Sequence, residues 1–461
     1  MKLKLFQNKK IDFLKKNILF IIPFIILIFF NLVEHNDSIS YIDNYARRPF
    51  LYPIIIDFFQ IMSEDYFEFF LKIFQIFIGA YSVIYFLNFY EKKFNPDKIL
   101  KSIIFLILIF PFINPSMPLA NSVLSEAIAY PLFLFFLTFF LNFIIDQYKK
   151  ENFIKLLFLI FLLISTRSQF YFIIPLIFLI IFFKLFKKKK FLFTASLYLI
   201  IMYFLVACFQ LTYNKIKFSK FSSVNIASFQ LIAIAHFVSD NKNFENISDP
   251  IHKEILSFVN NYLIQNHKYK VKIRSNLGTK KQKILLSKIK NLRNDYTKYY
   301  HFYVPIIHAY EYEVPKKIAL KDDEIENLNE LNKEVFKLAF NLIKQSPQDY
   351  LLLYFANVTF GLGGYFIEAE NFKGLLMNVG FSGSYLFLLQ IIIFMFFSVK
   401  ILIKTKLKRD EKYLYTSVFL NLINICFVCI FEPPYDRYIF YTNIIFLIFL
   451  FNKIFNKAEY K

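Results

Sequence analysis

The sequence predicts an all-α polytopic membrane protein with about ten transmembrane helices and one large, mainly helical domain outside the membrane. Three observations support this fold class. The 461-residue chain is 57% hydrophobic, with a mean hydropathy of +0.45. Apolar runs of about 20 residues, the length of a helix that crosses a bilayer, recur along it. The segment 209–379 separates two groups of these runs.

The apolar runs give the candidate spans. No small-residue cleavage site follows the first run, which therefore indicates a retained signal anchor. Two of the runs are short, and we expect them to form a V-shaped pair around residues 167 and 168. The candidate spans are 17–33, 67–89, 99–114, 123–145, 153–166, 169–184, 191–208, 380–399, 413–430 and 438–452.

Loop charges predict the orientation. The formal net charge is +21, and Lys in short cytoplasmic loops fixes the direction of neighbouring spans. Lysine clusters lie before the first span and in every second short loop, for example at 187–190. Both termini are therefore predicted to be cytoplasmic. The opposite short loops carry four arginines that break this pattern: Arg47, Arg48, Arg167 and Arg437.

Three domains follow from these spans. Residues 1–208 form an N-terminal membrane domain of about seven spans, with an external loop at 34–66. Residues 209–379 form the external, mainly helical domain, and 380–461 carry about three more spans. Apolar residues recur at helical spacing over 325–343, with Pro347 just past the end of that pattern. The external domain has no metal-ligand spacing that is recognisable in its sequence.

Composition excludes some functions. The lysines are spread over many loops and form no single basic groove, which argues against nucleic-acid binding. The pair Cys426 and Cys429 lies in an apolar run without the βαβ pattern expected of a redox motif, so we interpret it as structural.

Charged and polar residues follow the first span directly. Charge beside lipid is costly, so such a cluster suggests a site that acts on a membrane-anchored substrate; an ordinary solvated loop is the alternative. Carboxylates suit base or metal chemistry, whereas arginines suit phosphate. The candidate residues in this loop are Glu34, His35, Asp37, Tyr41, Asp43, Arg47 and Arg48.

Three further polar features are predicted on the same membrane face. The stretch 114–121 precedes Glu126, an ionisable residue within an apolar helix and therefore a functional candidate. Arg167 and Gln169 lie at the tip of the short helix pair. Tyr435 and Arg437 lie at the entrance of the last span.

In their order and sidedness, these motifs resemble a known family. Asp37 to Tyr41 and Arg48 to Pro53 resemble the first external loop of GT-C type membrane glycosyltransferases. The group is that of protein O-mannosyltransferases and of the transferase that adds aminoarabinose to lipid A. Asn114-Pro115, Ser125-Glu126 and Thr166-Arg167 resemble its next landmarks, and Asp436-Arg437-Tyr438 its last. The resemblance covers about 17–200 and, more weakly, 430–452.

The resemblance implies an inverting transferase in the bacterial inner membrane. The expected donor is a polyprenyl-phosphate-linked sugar, and the acceptor is a lipid, glycan or protein of the envelope on the periplasmic face. Asp37 would be the catalytic base or metal partner, and Glu126 a second acidic residue. Asn36 replaces the first acid of the usual pair, which leaves dependence on Mg²⁺ or Mn²⁺ open. The other candidate residues would bind substrate.

Other functions remain as alternatives. A transporter or flippase would place ionisable groups near the middle of broken helices. A polysaccharide polymerase or ligase would carry arginines in its large external loop, whereas 209–379 contains only Arg274 and Arg293. A membrane scaffold would use that segment to bind a protein partner.

Overall fold

The computed structural model describes most of the chain as α-helix. Among the described residues no β-strand forms, and an isolated parallel bridge joins Val33 to Ser122. The described residues are 18–35, 37–42, 48–114, 118–145, 150–185, 189–219, 227–239, 241–265, 305–315, 324–363, 383–403, 407–431 and 436–456.

The described helices fall into two compact units. The first unit comprises 1–210, 397–419 and 440–461, and the second 211–396 and 420–439. In chain order the helices are α1 (Ile18–Leu27), α2 (Ser38–Ile42), α3 (Leu51–Met62), α4 (Phe67–Phe94), α5 (Lys98–Ile113), α6 (Glu126–Ile145), α7 (Lys150–Thr166), α8 (Ile173–Leu185), α9 (Lys189–Phe218), α10 (Ala227–Val238), α11 (Asn241–Glu245), α12 (Pro250–Gln265), α13 (Glu324–Gln345), α14 (Pro347–Gly363), α15 (Gly383–Leu402), α16 (Arg409–Phe431) and α17 (Asp436–Phe455).

Helix length and composition indicate a membrane protein. Within the described residues, four helices are long and apolar enough to cross a bilayer, namely those at Phe67–Phe94, Glu126–Ile144, Leu192–Phe218 and Arg409–Phe431. They differ in burial. The apolar window of α6 is 78% buried inside the protein, whereas that of α9 is only 22% buried. Helix α6 is therefore a core helix, and α9 presents a broad apolar surface of the kind that faces lipid.

The hairpin between α4 and α5 follows from three residues. Asn95 ends α4 with a φ of 46°, in the left-handed region that Asn tolerates. Pro96 follows, and the side chain of Asp97 caps α5 by accepting a hydrogen bond from the backbone N–H of Leu100 at 2.7 Å. The two helices then pack closely, because a Cβ added at Gly79 would lie 2.7 Å from the ring of Phe112.

The first apolar run forms a shorter helix than the sequence predicts. The chain turns after Leu27 and becomes extended at Val33. Asn121 accounts for this, since its side-chain amide donates to the carbonyls of Leu27 at 2.9 Å and Phe30 at 3.1 Å. The backbone N–H of Val33 donates to the carbonyl of Asn121 at 2.6 Å. The end of α1 is therefore joined to the segment before α6.

The second unit has its own apolar core. Helices α10, α12 and α13 contribute to it, together with the segment 305–315, which contains a π-helix at Ala309–Glu313. Helix α13 lies where the helical spacing of 325–343 predicts it, and Pro347 begins the next helix. Cys429 is buried in a smaller apolar cluster with Ile425 and Val428, and both Cys426 and Cys429 are free thiols.

Candidate functional site

Three segments of the first unit meet at helix ends and bring the predicted charged residues together. The first segment follows α1, the second leads into α6, and the third joins α7 to α8. Hydrogen bonds, ion pairs and one cation–π contact connect six side chains from these segments, which we call the arginine cluster: Asp37, Tyr41, Arg48, Ser125, Glu126 and Arg167.

The first ion pair lies within the segment after α1. Nη2 of Arg48 donates to Oδ1 of Asp37 at 3.1 Å, and Nε of Arg48 donates to the hydroxyl of Ser40 at 2.8 Å. The guanidinium also lies 4.7 Å from the ring centroid of Tyr41, a cation–π distance. Arg48 is thus held in one orientation by three neighbours, and Asp37, with 23% of its side chain exposed, remains accessible.

The second ion pair is more deeply buried. Arg167 forms an ion pair with Glu126, whose side chain is 1% exposed. Glu126 is the first residue of α6, where the helix dipole favours a negative charge. Arg167 follows the last residue of α7 in extended backbone and precedes a short 3₁₀-helix at Ser168–Phe172. The guanidinium of Arg167, just after the end of α7, therefore lies at the start of α6.

Ser125 links the two ion pairs. Its hydroxyl lies 2.9 Å from the hydroxyl of Tyr41 and accepts a hydrogen bond from Nη1 of Arg167 at 3.2 Å. It also donates to Oε2 of Glu126 at 3.2 Å. Tyr41 contacts Arg48 through its ring and Ser125 through its hydroxyl. A continuous network of contacts therefore runs from Asp37 to Arg167, and the ring of Tyr41 is its link to Arg48.

An aromatic side chain, that of Tyr52, packs against this network at Tyr41, and an amide side chain, that of Gln75, contacts Tyr52 in turn. The ring of Tyr52 contacts that of Tyr41 edge to face, at 5.2 Å between centroids. Its hydroxyl accepts a hydrogen bond from Gln75 at 2.8 Å. Burial, with smaller contributions from Tyr41 and Glu126, raises the pKa of Tyr52 well above its ordinary value. Tyr52 therefore stays neutral and serves to position Tyr41.

Gln210 fixes the backbone beside Arg48. Its side-chain oxygen accepts from the backbone N–H of Phe50 at 3.1 Å, and its nitrogen donates to the carbonyl of Arg48 at 3.4 Å. The ring of Phe50 packs between Phe161 and Phe209. These contacts tie the segment after α1 to α7 and α9.

The remaining predicted site residues divide into two groups. Nε2 of His35 lies 3.0 Å from the hydroxyl of Ser122, and Gln169 accepts a hydrogen bond from Nε of Arg167 at 3.1 Å. Glu34 is exposed. Outside the described residues lie Asp43, Arg47, Tyr435 and the side chain of Arg437.

The arginine cluster is a poor fit for a divalent cation. Asp37 and Glu126 each bind an arginine, so a cation would compete with a guanidinium for the same oxygens. Among the described residues, a set of three potential metal ligands occurs in the second unit, at Asp249, His252 and Glu334, and includes neither cluster carboxylate. Dependence on Mg²⁺ or Mn²⁺ stays a prediction.

Sequence reasoning missed two contributors to the cluster. Ser125 was noted only as the neighbour of Glu126, and nothing in the sequence marks it as the link between two ion pairs. The sequence does not single out Gln210 either, and the available signal was a polar amide two residues beyond the end of the predicted span 191–208.

Comparison with known proteins gives no match for this chain, whether with protein-family models, with curated proteins or with solved structures.

Proposed function

We propose that this protein is a membrane glycosyltransferase that moves a sugar from a polyprenyl-phosphate-linked donor to an acceptor in the cell envelope. One observation carries the proposal. Two carboxylate–arginine pairs are joined through the ring and hydroxyl of Tyr41 and the hydroxyl of Ser125, where three interhelical segments meet at helix ends. A carboxylate that can accept a proton and arginines that can bind phosphate are the groups this reaction needs.

The reaction needs few catalytic groups because the donor is already activated. A phosphate departs without a proton, so no general acid is required for the leaving group. The acceptor hydroxyl transfers its proton to a base while its oxygen forms a bond to the anomeric carbon. The bond from that carbon to the phosphate oxygen breaks, and its electron pair stays on the phosphate. Such a single displacement inverts the anomeric configuration.

Each member of the arginine cluster has a role in this proposal. Asp37 is the base, since its side chain is the most exposed of the four charged groups in the two ion pairs. Arg48 and Arg167 stabilise the charge that develops on the phosphate. Glu126 positions Arg167, and Ser125 together with Tyr41 fixes the position of one ion pair relative to the other.

The position of the cluster favours a transferase over a flippase. Asp37 lies just before α2, Glu126 is the first residue of α6, and Arg167 follows the last residue of α7. A transporter would place its ionisable groups near the middle of broken helices. A site at helix ends instead suits a lipid-linked substrate whose polar head remains at the membrane surface.

The proposal includes a topology of about ten spans in a bacterial inner membrane, with both termini cytoplasmic and 209–379 in the periplasm. Accessibility of single cysteines to an impermeant thiol reagent tests it, in a variant that lacks the three native cysteines. Two exposed positions are suitable, Lys98 at the start of α5 and Asn261 in α12. We expect labelling from outside at Asn261→Cys alone. Labelling of both positions from one side would contradict the topology.

Mass spectrometry of envelope lipids and glycans, with and without the gene, tests the function. We expect loss of one sugar from an envelope component and accumulation of its polyprenyl-phosphate donor. A shortened polymer with no loss of a decorating sugar would favour a polymerase or ligase. Accumulation of a complete lipid-linked glycan on the cytoplasmic face in cells without the gene would favour a flippase.

A further inference from the structure

Three potential metal ligands from two helices converge in the second unit. Asp249 precedes α12, His252 lies in its first turn, and Glu334 lies in α13. Their ligand atoms all lie within 4.8 Å of one another. No part of the proposed transferase mechanism uses these residues.

The spacing of the imidazole and one carboxylate matches coordination of a small cation. Nε2 of His252 lies 3.2 Å from Oε2 of Glu334. Two ligands at about 2.0–2.1 Å in a tetrahedral Zn²⁺ site are separated by about 3.3 Å. A metal bound between these two atoms would therefore need little movement of either helix.

The third ligand is available for a small adjustment. Oδ1 of Asp249 caps α12 by accepting from the backbone N–H groups of Ile251 at 2.9 Å and His252 at 3.3 Å. Its second oxygen takes no part in the cap, so rotation of the carboxylate can bring it towards the other two ligands.

The surroundings of Glu334 resemble the outer shell of a metal site. Nζ of Lys337 donates to Oε1 of Glu334 at 2.5 Å, which orients the carboxylate, lowers its pKa and leaves Oε2 facing the imidazole. Ligating carboxylates are commonly fixed in this way. The side chain of His252 is only 3% exposed, and its Nδ1 has no hydrogen-bond partner within the described part of the chain. The ring is therefore buried with its Nε2 aimed into the group and its other nitrogen unsatisfied.

We propose that Asp249, His252 and Glu334 bind a divalent transition metal, with Zn²⁺ the ion that fits best. One imidazole with two carboxylates is a donor set that Zn²⁺ accepts, whereas Mg²⁺ and Ca²⁺ prefer oxygen ligands alone. The metal would join α12 to α13 and leave a fourth position for water. The proposal is independent of the transferase function and can fail or succeed separately from it.

Zn²⁺ binding to the purified full-length protein in detergent tests the proposal. Asp249→Asn and Glu334→Gln are the informative variants, because Asn is an equally good helix cap and Gln keeps a hydrogen bond to His252. Glu330→Gln, at an exposed glutamate one turn earlier on α13, is the matched control. Bound zinc is measured by mass spectrometry after equilibration in a zinc buffer, and the thermal unfolding midpoint is measured with and without Zn²⁺.

The expected result is one zinc ion in the wild type and in Glu330→Gln that is lost in the other two variants. Affinity should fall at least about tenfold for each lost ligand, since even outer-shell changes cost 10–100-fold. The rise in unfolding midpoint with Zn²⁺ should disappear in the same two variants. Equal zinc content in all four proteins, or displacement of the ion by millimolar Mg²⁺, would overturn the proposal.

Discussion

Among the described residues of the first unit, ion pairs that join separate elements lie at opposite ends of the helices, and the pairs at the two ends differ in chemistry. The arginine cluster lies where α6 begins and α7 ends. The second set lies where α4, α15 and α17 end and where α5 and α16 begin, and its cations are lysines. These lysine pairs are Lys101–Glu91, Lys400–Glu411 and Lys453–Asp410.

Each lysine pair is a direct contact between helix ends, whereas the arginine pairs form a network. Lys101 lies 2.9 Å from Glu91, and Lys400 lies 2.7 Å from Glu411. Each of these pairs joins the ends of two helices. In the arginine cluster, Tyr41 and Ser125 connect the pairs, and planar guanidinium groups present several donors in a fixed geometry. From this difference we infer that the lysine pairs stabilise the packing of helix ends, whereas the arginine pairs form a substrate-binding site.

The largest expected difference concerns removal of one carboxylate. Glu126→Gln removes the carboxylate that forms an ion pair with Arg167, whose side chain is only 10% exposed, and breaking such a buried pair costs about 3–5 kcal/mol of unfolding free energy. Glu91→Gln breaks a more exposed lysine pair and should cost less than about 1 kcal/mol. Denaturant unfolding in detergent measures both. Equal losses of unfolding free energy in the two variants would mean that burial does not distinguish the arginine pair from the lysine pair.

A double variant then separates stability from function. In Glu126→Leu/Arg167→Met both charges are replaced by apolar groups, which is often neutral or stabilising for a buried pair. We expect the unfolding free energy to return close to that of the wild type while sugar transfer stays absent. Recovery of transfer together with stability would show that this pair only supports the fold.

Exchange of arginine and lysine should have a smaller effect. Arg167→Lys retains the charge but loses the paired donors that match a phosphate, so apparent affinity for the polyprenyl-phosphate sugar should fall about 10- to 100-fold, the equivalent of one charged hydrogen bond. The reciprocal change Lys453→Arg, in a lysine pair, should leave the apparent donor affinity within about twofold of the wild-type value. Unchanged affinity in Arg167→Lys would favour an interfacial anchor, since Lys snorkels equally well.

The smallest expected effect concerns the link between the arginine pairs. Ser125→Ala removes the hydroxyl that contacts both Tyr41 and Arg167, and we expect it to raise the activation barrier for transfer by about 1 kcal/mol. We expect about a fivefold loss in the rate of transfer with little change in stability. Ser102→Ala, at an exposed serine of α5 that bonds only its own helix, is the control. An equal effect of both changes would remove the link from the mechanism.

The sequence identified the charged residues of the cluster but not their partners. Asp37, Arg48, Glu126 and Arg167 stand out because charge is rare beside apolar runs. Which carboxylate binds which arginine depends on how distant segments meet, and no local pattern encodes that. The same limit explains why the group at Asp249 was missed, since His252 and Glu334 are 82 residues apart.

Helix ends show a second limit of sequence reasoning. Hydropathy extends the first span through Val33, because Phe29 and Phe30 are as apolar as the residues before them. The helix nevertheless ends at Leu27, because the side-chain amide of Asn121 donates hydrogen bonds to the carbonyl of Leu27 and to that of Phe30 in the turn that follows. By contrast, the break between α4 and α5 is local and follows from the Asn-Pro-Asp sequence at 95–97.

The most direct test of the central claim is transfer of the donor's sugar by Asp37→Asn in isolated membranes. The control is Asp65→Asn, an identical change at an exposed aspartate of the same predicted loop. Loss of the base should lower transfer by at least about 10²-fold, with wild-type amounts of protein in the membrane, while Asp65→Asn keeps full activity. Full activity of Asp37→Asn, or equal losses in both variants, would contradict a catalytic role for the arginine cluster.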